Sequence, residues 1–505
     1  MANYLSDAIE HLLAALLIFR IGNLPRERLT RASARGALAL GAQPRPRRLG
    51  GNWPNTAGWA ERIARHGGCN GPNVEIPTTP APVEPLEPSP SADQRAARDA
   101  QQARLSSLYR RRDLKMARSA HAYVRGSTKA FYDWLEQSRR GIPEGPTVWI
   151  CGDAHIGNLG PIARHDERVM VELRDLDQTV PGNPAYDLVR LALSLAMAAR
   201  SSDLPGVVTA RLVEELMAGY LGAFVAPDAQ ELEQSAAVRF VVREALRRKW
   251  RRHLQRERIG KNSRFPLGQR FLPLDPAERA SLDGFLDRER IRQLVTAIEC
   301  RDDRAEIRVL DAAYWVKGCS SLGLWRCAAL IQVIGHGQKR GGYSLLDVKE
   351  ATQPLAPSTR PELIPTHEGE RVVQGALALA PSLGKRMLPG TVAGHSVFVR
   401  ELMPQDLKLE LEMFDDTEAR ATARALAHIV GAAHARQMEP DDRERWRREL
   451  GAAFTRWLEA PSWLWSSVVE LVGTHERAYL EHCRRFALNA EKAREREVGE
   501  AADRG

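Results

Sequence analysis

The sequence predicts an α+β chain with a larger helical lobe and a smaller β-rich lobe, and three observations carry that reading. Two short apolar runs, residues 147–151 and 169–173, read as buried strands, each ending in a group of polar side chains. Helical periodicity surrounds them on both sides. Three more strand-like runs then crowd into residues 311–351. At 505 residues there is room for two or three cores, since single domains run to about 100–200 residues. A hydrophobic share of 43% and a charged share of 27% exclude a fibrous or wholly disordered chain.

In chain order, residues 1–95 are expected to hold a short amphipathic helix at 6–20 and then an Arg/Gly/Pro-rich linker. Ten of the thirty prolines fall between Pro44 and Pro90, and six of them crowd into Pro77 to Pro90, which excludes helix and sheet interiors there. The apolar run 12–19 is shorter than the roughly 20 residues a membrane span takes. Asp7 and Glu10 precede it, unlike the basic leader of a signal peptide.

The folded part is expected to begin near Ser91, with a helical portion over 96–305. Leu105, Leu108, Tyr109, Met116, Phe131, Trp134 and Leu135 recur at helical spacing. Between them the basic, glycine-ended segment 118–126 reads either as a surface turn or as a phosphate-positioning segment. After the two polar strand ends, Leu188, Leu191, Ala192, Leu195, Ala196 and Ala199 mark a core helix, followed by another at 209–225. Residues 239–264 carry eleven Lys or Arg with Trp250 and Leu254 among them. A solvated helix face is the favoured reading, ahead of nucleic-acid binding. The net charge of +9, spread over this length, adds little to that choice.

Residues 306–410 are expected to form the β-rich lobe. It contains strands at 312–317, 324–333 and 343–349, a small-residue turn from Gly318 to Gly323, a helix at 368–377 and a strand at 397–403. Helices over 411–505 complete the larger lobe, one of them ending at His434 and Arg436. The six cysteines show no Cys-x-x-Cys spacing, and a reduced cytoplasm is the expected setting.

The chemistry concentrates at the strand ends. Gly152 stops the first strand, and Asp153, His155 and Asn158 follow; Arg174, Asp175 and Asp177 end the second. Carboxylates and an amide in one pocket suit magnesium and phosphate chemistry. An Asp, an Asn five residues on, and a strand-ending Asp about twenty residues later match the catalytic and metal loops of kinase-like phosphotransferases. On that spacing Asp153 orients or deprotonates an acceptor hydroxyl, while Asn158 and Asp175 hold Mg2+. In the β-rich lobe, the turn residues Gly318, Ser320, Ser321 and Gly323 and the strand residue Lys349 read as a clamp for the phosphates of ATP. The carboxylate partner of Lys349 stays open among Glu370, the first choice, Gln374 and Glu350. Asp177 and His155 read equally as ligands or as hydrogen-bonded structural groups.

The stretch from Gly152 to Asn158 resembles the Gly-Asp-x-His-x-x-Asn loop of the aminoglycoside and choline phosphotransferase group, with Cys151 where that group usually has His. Asp175, Gly182, Pro184 and Asp187 resemble its metal Asp, Gly-x-Pro turn and helix-starting Asp, which gives Asp187 a role in supporting the loop backbone. From about Ser106 onward the chain resembles the bacterial family catalogued as domain of unknown function 2252. The resemblance rests on Lys115 to Ser119, Tyr123 to Gly126, Asp175 to Thr179, Asp187 to Leu191, Gly369 to Val373 and Ala432 to Arg436, together with the Gly152, Gly318 and Lys349 motifs. Leu159 and Leu176 stand where that family often has Phe.

The resemblance to kinase-like enzymes implies a two-lobed fold in circularly permuted order, with the catalytic and metal loops ahead of the nucleotide lobe. The expected function is an ATP- and Mg2+-dependent phosphotransferase acting on a hydroxyl. A non-catalytic, pseudokinase-like nucleotide-binding protein and a nucleotidyl transferase are its alternatives. A placement that brings Lys349 to Asp175 is the geometric requirement.

Overall fold

Helical periodicity at the start of the folded part becomes α1 (Ala92–Met116), α2 (Ala120–Gly126) and α3 (Thr128–Ser138). The computed structural model describes residues 92–138, 141–164, 168–201, 206–225, 236–247, 264–297, 301, 302, 304–335, 342–406, 416–452 and 460–502. The helix expected at 6–20, the linker that follows it and most of the basic run 239–264 lie outside the described residues. The segment 118–126, read from sequence as a turn or a phosphate-positioning stretch, is mostly helix. Ser119 caps it by accepting the Ala122 N–H at 3.0 Å.

Four short strands follow: β1 (Val148–Ile150), β2 (Leu159–Ala163), β3 (Val169–Leu173) and β4 (Val180–Gly182). β1 pairs antiparallel with β4, and β2 with β3, so Leu159 lies opposite Leu173. The β2–β3 hairpin was not foreseen, because Gly160 and Pro161 weaken the strand pattern of β2. α4 (Pro184–Ser201) is buried along nearly its whole length, as its apolar pattern requires. α5 (Gly206–Val225) and α6 (Ala236–Leu246) come next.

α5 crosses α10 (Asp416–Ala435) at very short range. A Cβ added at Gly219 would lie 2.0 Å from the Arg424 carbonyl oxygen, so only glycine admits this crossing. α11 (Pro440–Ala452) and the long α12 (Ser462–Ala502) complete the helical portion. Leu188, Leu195, Leu216, Leu426, Val430 and Leu464 belong to its single large core cluster.

The β-rich portion is one six-stranded antiparallel sheet in the order β5-β6-β7-β8-β10-β9. Its strands are β5 (Phe271–Leu272), β6 (Glu306–Trp315), β7 (Arg326–Ile334), β8 (Gly342–Glu350), β9 (Met387–Val392) and β10 (His395–Leu402). Period-2 alternation sends Cys327, Ala329 and Ile331 into one apolar cluster and Ala328 and Leu330 into another. The first cluster also takes in Leu282, Phe285 and Leu286 of α7 (Pro276–Leu286) and Ile291, Leu294 and Val295 of α8 (Glu289–Thr296). These two helices therefore share the sheet's core, although they fall inside the segment 96–305 that sequence had grouped with the helical portion. The helix expected at 368–377 is α9 (Glu368–Leu379). Among the described residues, no helix is long and apolar enough to cross a membrane, and Cys151, Cys319, Cys327 and Cys483 are free thiols.

A buried ion triad ties three strands together. Asp347 is fully buried and takes Arg326 bidentately at 2.7 and 2.6 Å, with Arg400 at 2.9 Å. Burial alone would raise its carboxyl, but the two guanidiniums hold it well below its ordinary value of 3.8. A depressed carboxylate contributes stability above that ordinary value and loses it as pH falls toward the folded pKa. Asp347→Asn is therefore expected to cost roughly 3–5 kcal/mol at pH about 7 in urea unfolding, because it leaves two buried cations unpaired. The gap from wild type should narrow as pH falls from about 4 toward about 2; a gap that stayed constant over that window would rule out the triad as its source.

Candidate active site

The turn after β1 is held by buried groups from four directions. Asp187, at the start of α4, accepts the Cys151 N–H at 2.7 Å and the Gly152 N–H at 2.9 Å, so it supports the loop backbone as the resemblance implied. His434 at the end of α10 sits 3.2 Å from the same carboxylate, and its other ring nitrogen is 2.9 Å from the Tyr220 hydroxyl. The Tyr132 hydroxyl donates to the Gly152 carbonyl. Thr179 donates to the Ile150 carbonyl at 2.7 Å.

Gly152 has φ +73°, and a Cβ there would meet the Gln178 carbonyl oxygen at 2.2 Å. Gly152→Ala is thus expected to cost about 3 kcal/mol or more, from the left-handed backbone plus the clash. Chemical denaturation measures this, and a loss under about 0.5 kcal/mol would mean that the turn is free to relax.

That turn presents Asp153, whose side chain is 14% exposed. Its Oδ1 accepts Arg190 Nε at 2.8 Å, and its Oδ2 accepts the Thr128 hydroxyl at 3.2 Å, with His155 Nε2 3.9 Å away. Burial raises the Asp153 carboxyl above its ordinary range, with Arg190 pulling the other way. Burial, then the charges of Arg125 and Arg190, push His155 well below its ordinary value, so it is a neutral imidazole.

Asn158 bridges this loop to the next. Its amide nitrogen donates to the Asp175 carbonyl at 2.6 Å and to the Asp153 carbonyl at 3.3 Å, and its oxygen accepts the Asp175 N–H at 2.5 Å. Both ends of the amide are engaged, so Asn158 positions Asp153 and Asp175 and keeps only one oxygen lone pair for a metal.

The structure brings Lys349 to Asp175 at 3.2 Å across 174 residues of chain, and Lys349 also bonds Asp177. Lys349 is 2% exposed, whereas the Asp175 side chain is 52% exposed and open to a ligand. Desolvation on the side of the carboxyl turned toward Lys349 would raise Asp175, but the charges of Lys349, Arg400 and Arg326 hold it well below the ordinary range. Burial and the Asp175 charge push Asp177 up to about 7.

Glu370, the first choice as partner for Lys349, is exposed and does not bond it. Neighbouring residues on a helix point about 100° apart, and the buried face of α9 presents Arg371 instead. Fully buried Arg371 donates to the carbonyls of Thr179 at 2.6 Å, Asp177 at 2.9 Å and Thr352 at 2.9 Å, and so fixes the backbone that follows Asp175. Glu350 is taken up by the Trp325 N–H at 2.7 Å and by His395 at 3.0 Å.

The turn read as a phosphate clamp has Gly318 at φ +93° and Gly323 at φ +108°. Lys115 donates to the Gly318 carbonyl at 2.6 Å, which seats the turn against α1. Arg326, directly across from Lys349 in the sheet, reaches the Lys317 carbonyl at 3.5 Å. The buried Ser321 hydroxyl also donates to that carbonyl, at 3.3 Å. The Ser321 hydroxyl thus closes the turn, while Ser320 is exposed.

Sequence reading missed Arg190, Arg371 and the pairing of Lys349 with Asp177. Arg190 and Arg371 do lie inside motifs that marked the chain, but nothing local assigned them a partner.

Among the described residues, no three His, Cys, Asp or Glu side chains converge as a preformed cation cage. Mg2+ does not require one, because it usually takes one or two carboxylates plus substrate phosphates. Asp175 with its open oxygen and Asp177, whose buried Oδ1 has no partner, fit that requirement together with the remaining lone pair of Asn158.

The model of a family described as an uncharacterized protein conserved in bacteria, domain of unknown function 2252, matches residues 104–485. No curated protein and no solved structure matches the chain.

Proposed function

The chain belongs to this bacterial family, and on the geometry of its site we propose that it is an ATP- and magnesium-dependent phosphotransferase acting on a hydroxyl group. One observation carries the reading. Lys349, from the sheet, sits on Asp175 and Asp177 beside the Asp153 loop, so two distant halves of the chain complete one site.

In this reading Asp153 accepts the proton of the acceptor hydroxyl as its oxygen forms a bond to the γ-phosphorus of ATP. The bond from that phosphorus to the β–γ bridging oxygen breaks, and ADP leaves with the electron pair. Thr128 and Arg190 fix the direction of the Asp153 carboxylate, and Lys349 neutralises phosphate charge. Asp175, Asp177 and the Asn158 oxygen would hold magnesium, which when bound offsets charge on the phosphate oxygens.

Circular permutation of a kinase-like fold is supported by where α10 ends. Gln437 exchanges hydrogen bonds with the Trp149 backbone at 2.8 and 3.0 Å across 288 residues, and His434 reaches Asp187. The end of that helix thus lies beside the start of the catalytic loop, the place it would occupy in an unpermuted chain.

The test is ATP turnover by purified protein with and without magnesium against a panel of alcohols, with products identified by phosphorus NMR. Transfer to a hydroxyl that stops on chelation supports the proposal; no turnover of any ATP phosphate would sink it. A nucleotide-binding protein without turnover is the second reading. The ion pair between Arg190 and Asp153 favours it, since the guanidinium opposes the burial that makes this carboxylate a better base. ATP binding without any product would select it.

A further inference from the structure

Four polar atoms around Asp153 have no hydrogen-bond partner among the described residues: Ser127 Oγ, His121 Nδ1, His155 Nδ1 and Arg190 Nη1. Ser127 and His155 are each 8% exposed and Arg190 is fully buried. They come from four separate places: His121 from α2, Ser127 from the α2–α3 junction, His155 from the catalytic loop and Arg190 from α4. Leaving a buried polar group unmade costs about 1–3 kcal/mol, so four in one neighbourhood call for a polar partner.

Charge says what kind of group it is. Arg125 of α2 lies against the catalytic loop, where a Cβ at Gly157 would meet its guanidinium carbon at 2.7 Å. It is half-buried and makes no hydrogen bond or ion pair among the described residues. Burial, then the charges of Arg125 and Arg190, push His121 down to about 4. The groups facing this place are two guanidiniums, a hydroxyl and two imidazoles, with the carboxylate of Asp153 among them and the charge of Asp175 within reach. Asp153 balances only Arg190. Such a set matches an anion with several acceptor oxygens.

We infer that this is an acceptor subsite for an anionic group, a phosphate or a carboxylate, held by Arg125, Ser127 and His155 so that a hydroxyl on the same molecule reaches Asp153. The hydroxyl part rests on the phosphotransferase reading, whereas the anion site stands on its own geometry. The substrate class is then a phosphorylated or carboxylated alcohol.

Thermal unfolding in rising inorganic phosphate, and separately in acetate, tests the site without any turnover, since a ligand that binds only the folded state raises the midpoint. One of the two should stabilise the wild type. Arg125→Ala should shift that dependence at least tenfold to higher concentration. Lys349→Met, or Lys349→Gln if that variant fails to fold, should retain it.

No stabilisation of the wild type by either probe would mean that buried water alone fills the site, and overturns the inference. Loss in the Lys349 variant but not in Arg125→Ala would place the anion with the nucleotide, and also overturns it. In turnover assays, glycerol 3-phosphate or glycerate should serve as acceptor where glycerol does not, and equal use of glycerol overturns the subsite. Arg125-dependent anion binding in a protein that turns over no ATP would support the subsite while removing the phosphotransferase reading.

Discussion

Asp153→Asn is expected to lower ATP turnover by about 10²–10⁴-fold, the usual contribution of a positioned base, while nucleotide affinity changes by less than about threefold. The substitution preserves shape and can still accept the Thr128 hydroxyl, but it cannot take a proton. It also leaves the buried Arg190 guanidinium facing an amide, although Arg190 keeps its 2.7 Å bond to the Val124 carbonyl. A cost of a few kcal/mol from that lost charge is therefore expected and must be separated from the chemistry. ATP affinity and the unfolding midpoint make the separation, because a folded variant that binds ATP normally and fails to turn it over has lost chemistry alone. Turnover within a few-fold of wild type would remove Asp153 from the reaction.

The part of this site that is legible in sequence is the part that sequence-local spacing encodes. Asp153, Asn158, Asp175 and Asp187 announce themselves because strand ends and a glycine turn force polar side chains into one place. Gly152 does so as the glycine that stops the first strand, and the structure accounts for it with a left-handed φ and a Gln178 carbonyl too close for any side chain. Lys349 was legible as a strand lysine after a glycine turn, and its meeting with Asp175 followed from supposing that the halves make one site.

Long-range pairings left no such mark. Arg190 looks like one more residue in an apolar helix until Asp153 appears 37 residues away in sequence. Arg371 is distinguished from Glu370 only by which face of α9 turns inward, and a shift of one residue redirects a side chain by about 100°. The Asp347 triad depends on strand register, which pairs Ala328 and Arg400 with Asp347 and Arg326 with Lys349. The order of the sheet and the hairpin of β2 and β3 belong to the same class. Their strands contain Gly160, Pro161, Pro389 and Gly390, residues that weaken a strand pattern without preventing edge or short-strand pairing.

Lys349→Met should abolish tight nucleotide binding, with a loss of about 100-fold or more, and should also destabilise the protein by roughly 1–3 kcal/mol, because Asp177 loses its partner in a largely buried place while Asp175 stays half exposed to solvent. Methionine keeps the volume over Phe398, whose ring centre lies 6.0 Å from the ammonium, so packing is not what changes. What changes is that Asp175 and Asp177 face each other without the ammonium that both of them bond.

Two outcomes separate a ligand-handling lysine from a structural counter-ion. If the carboxylates form a magnesium site, adding magnesium should raise the midpoint of the variant more than that of wild type, since the metal replaces the ammonium in the variant and competes with it in the native protein. If Lys349 serves only the pair, Lys349→Met combined with Asp177→Asn should restore stability and nucleotide affinity together. Restored stability with affinity still lost assigns Lys349 to the phosphates. Unchanged affinity in the single variant would remove it from the site and, with it, the meeting of the two halves on which the proposed function stands.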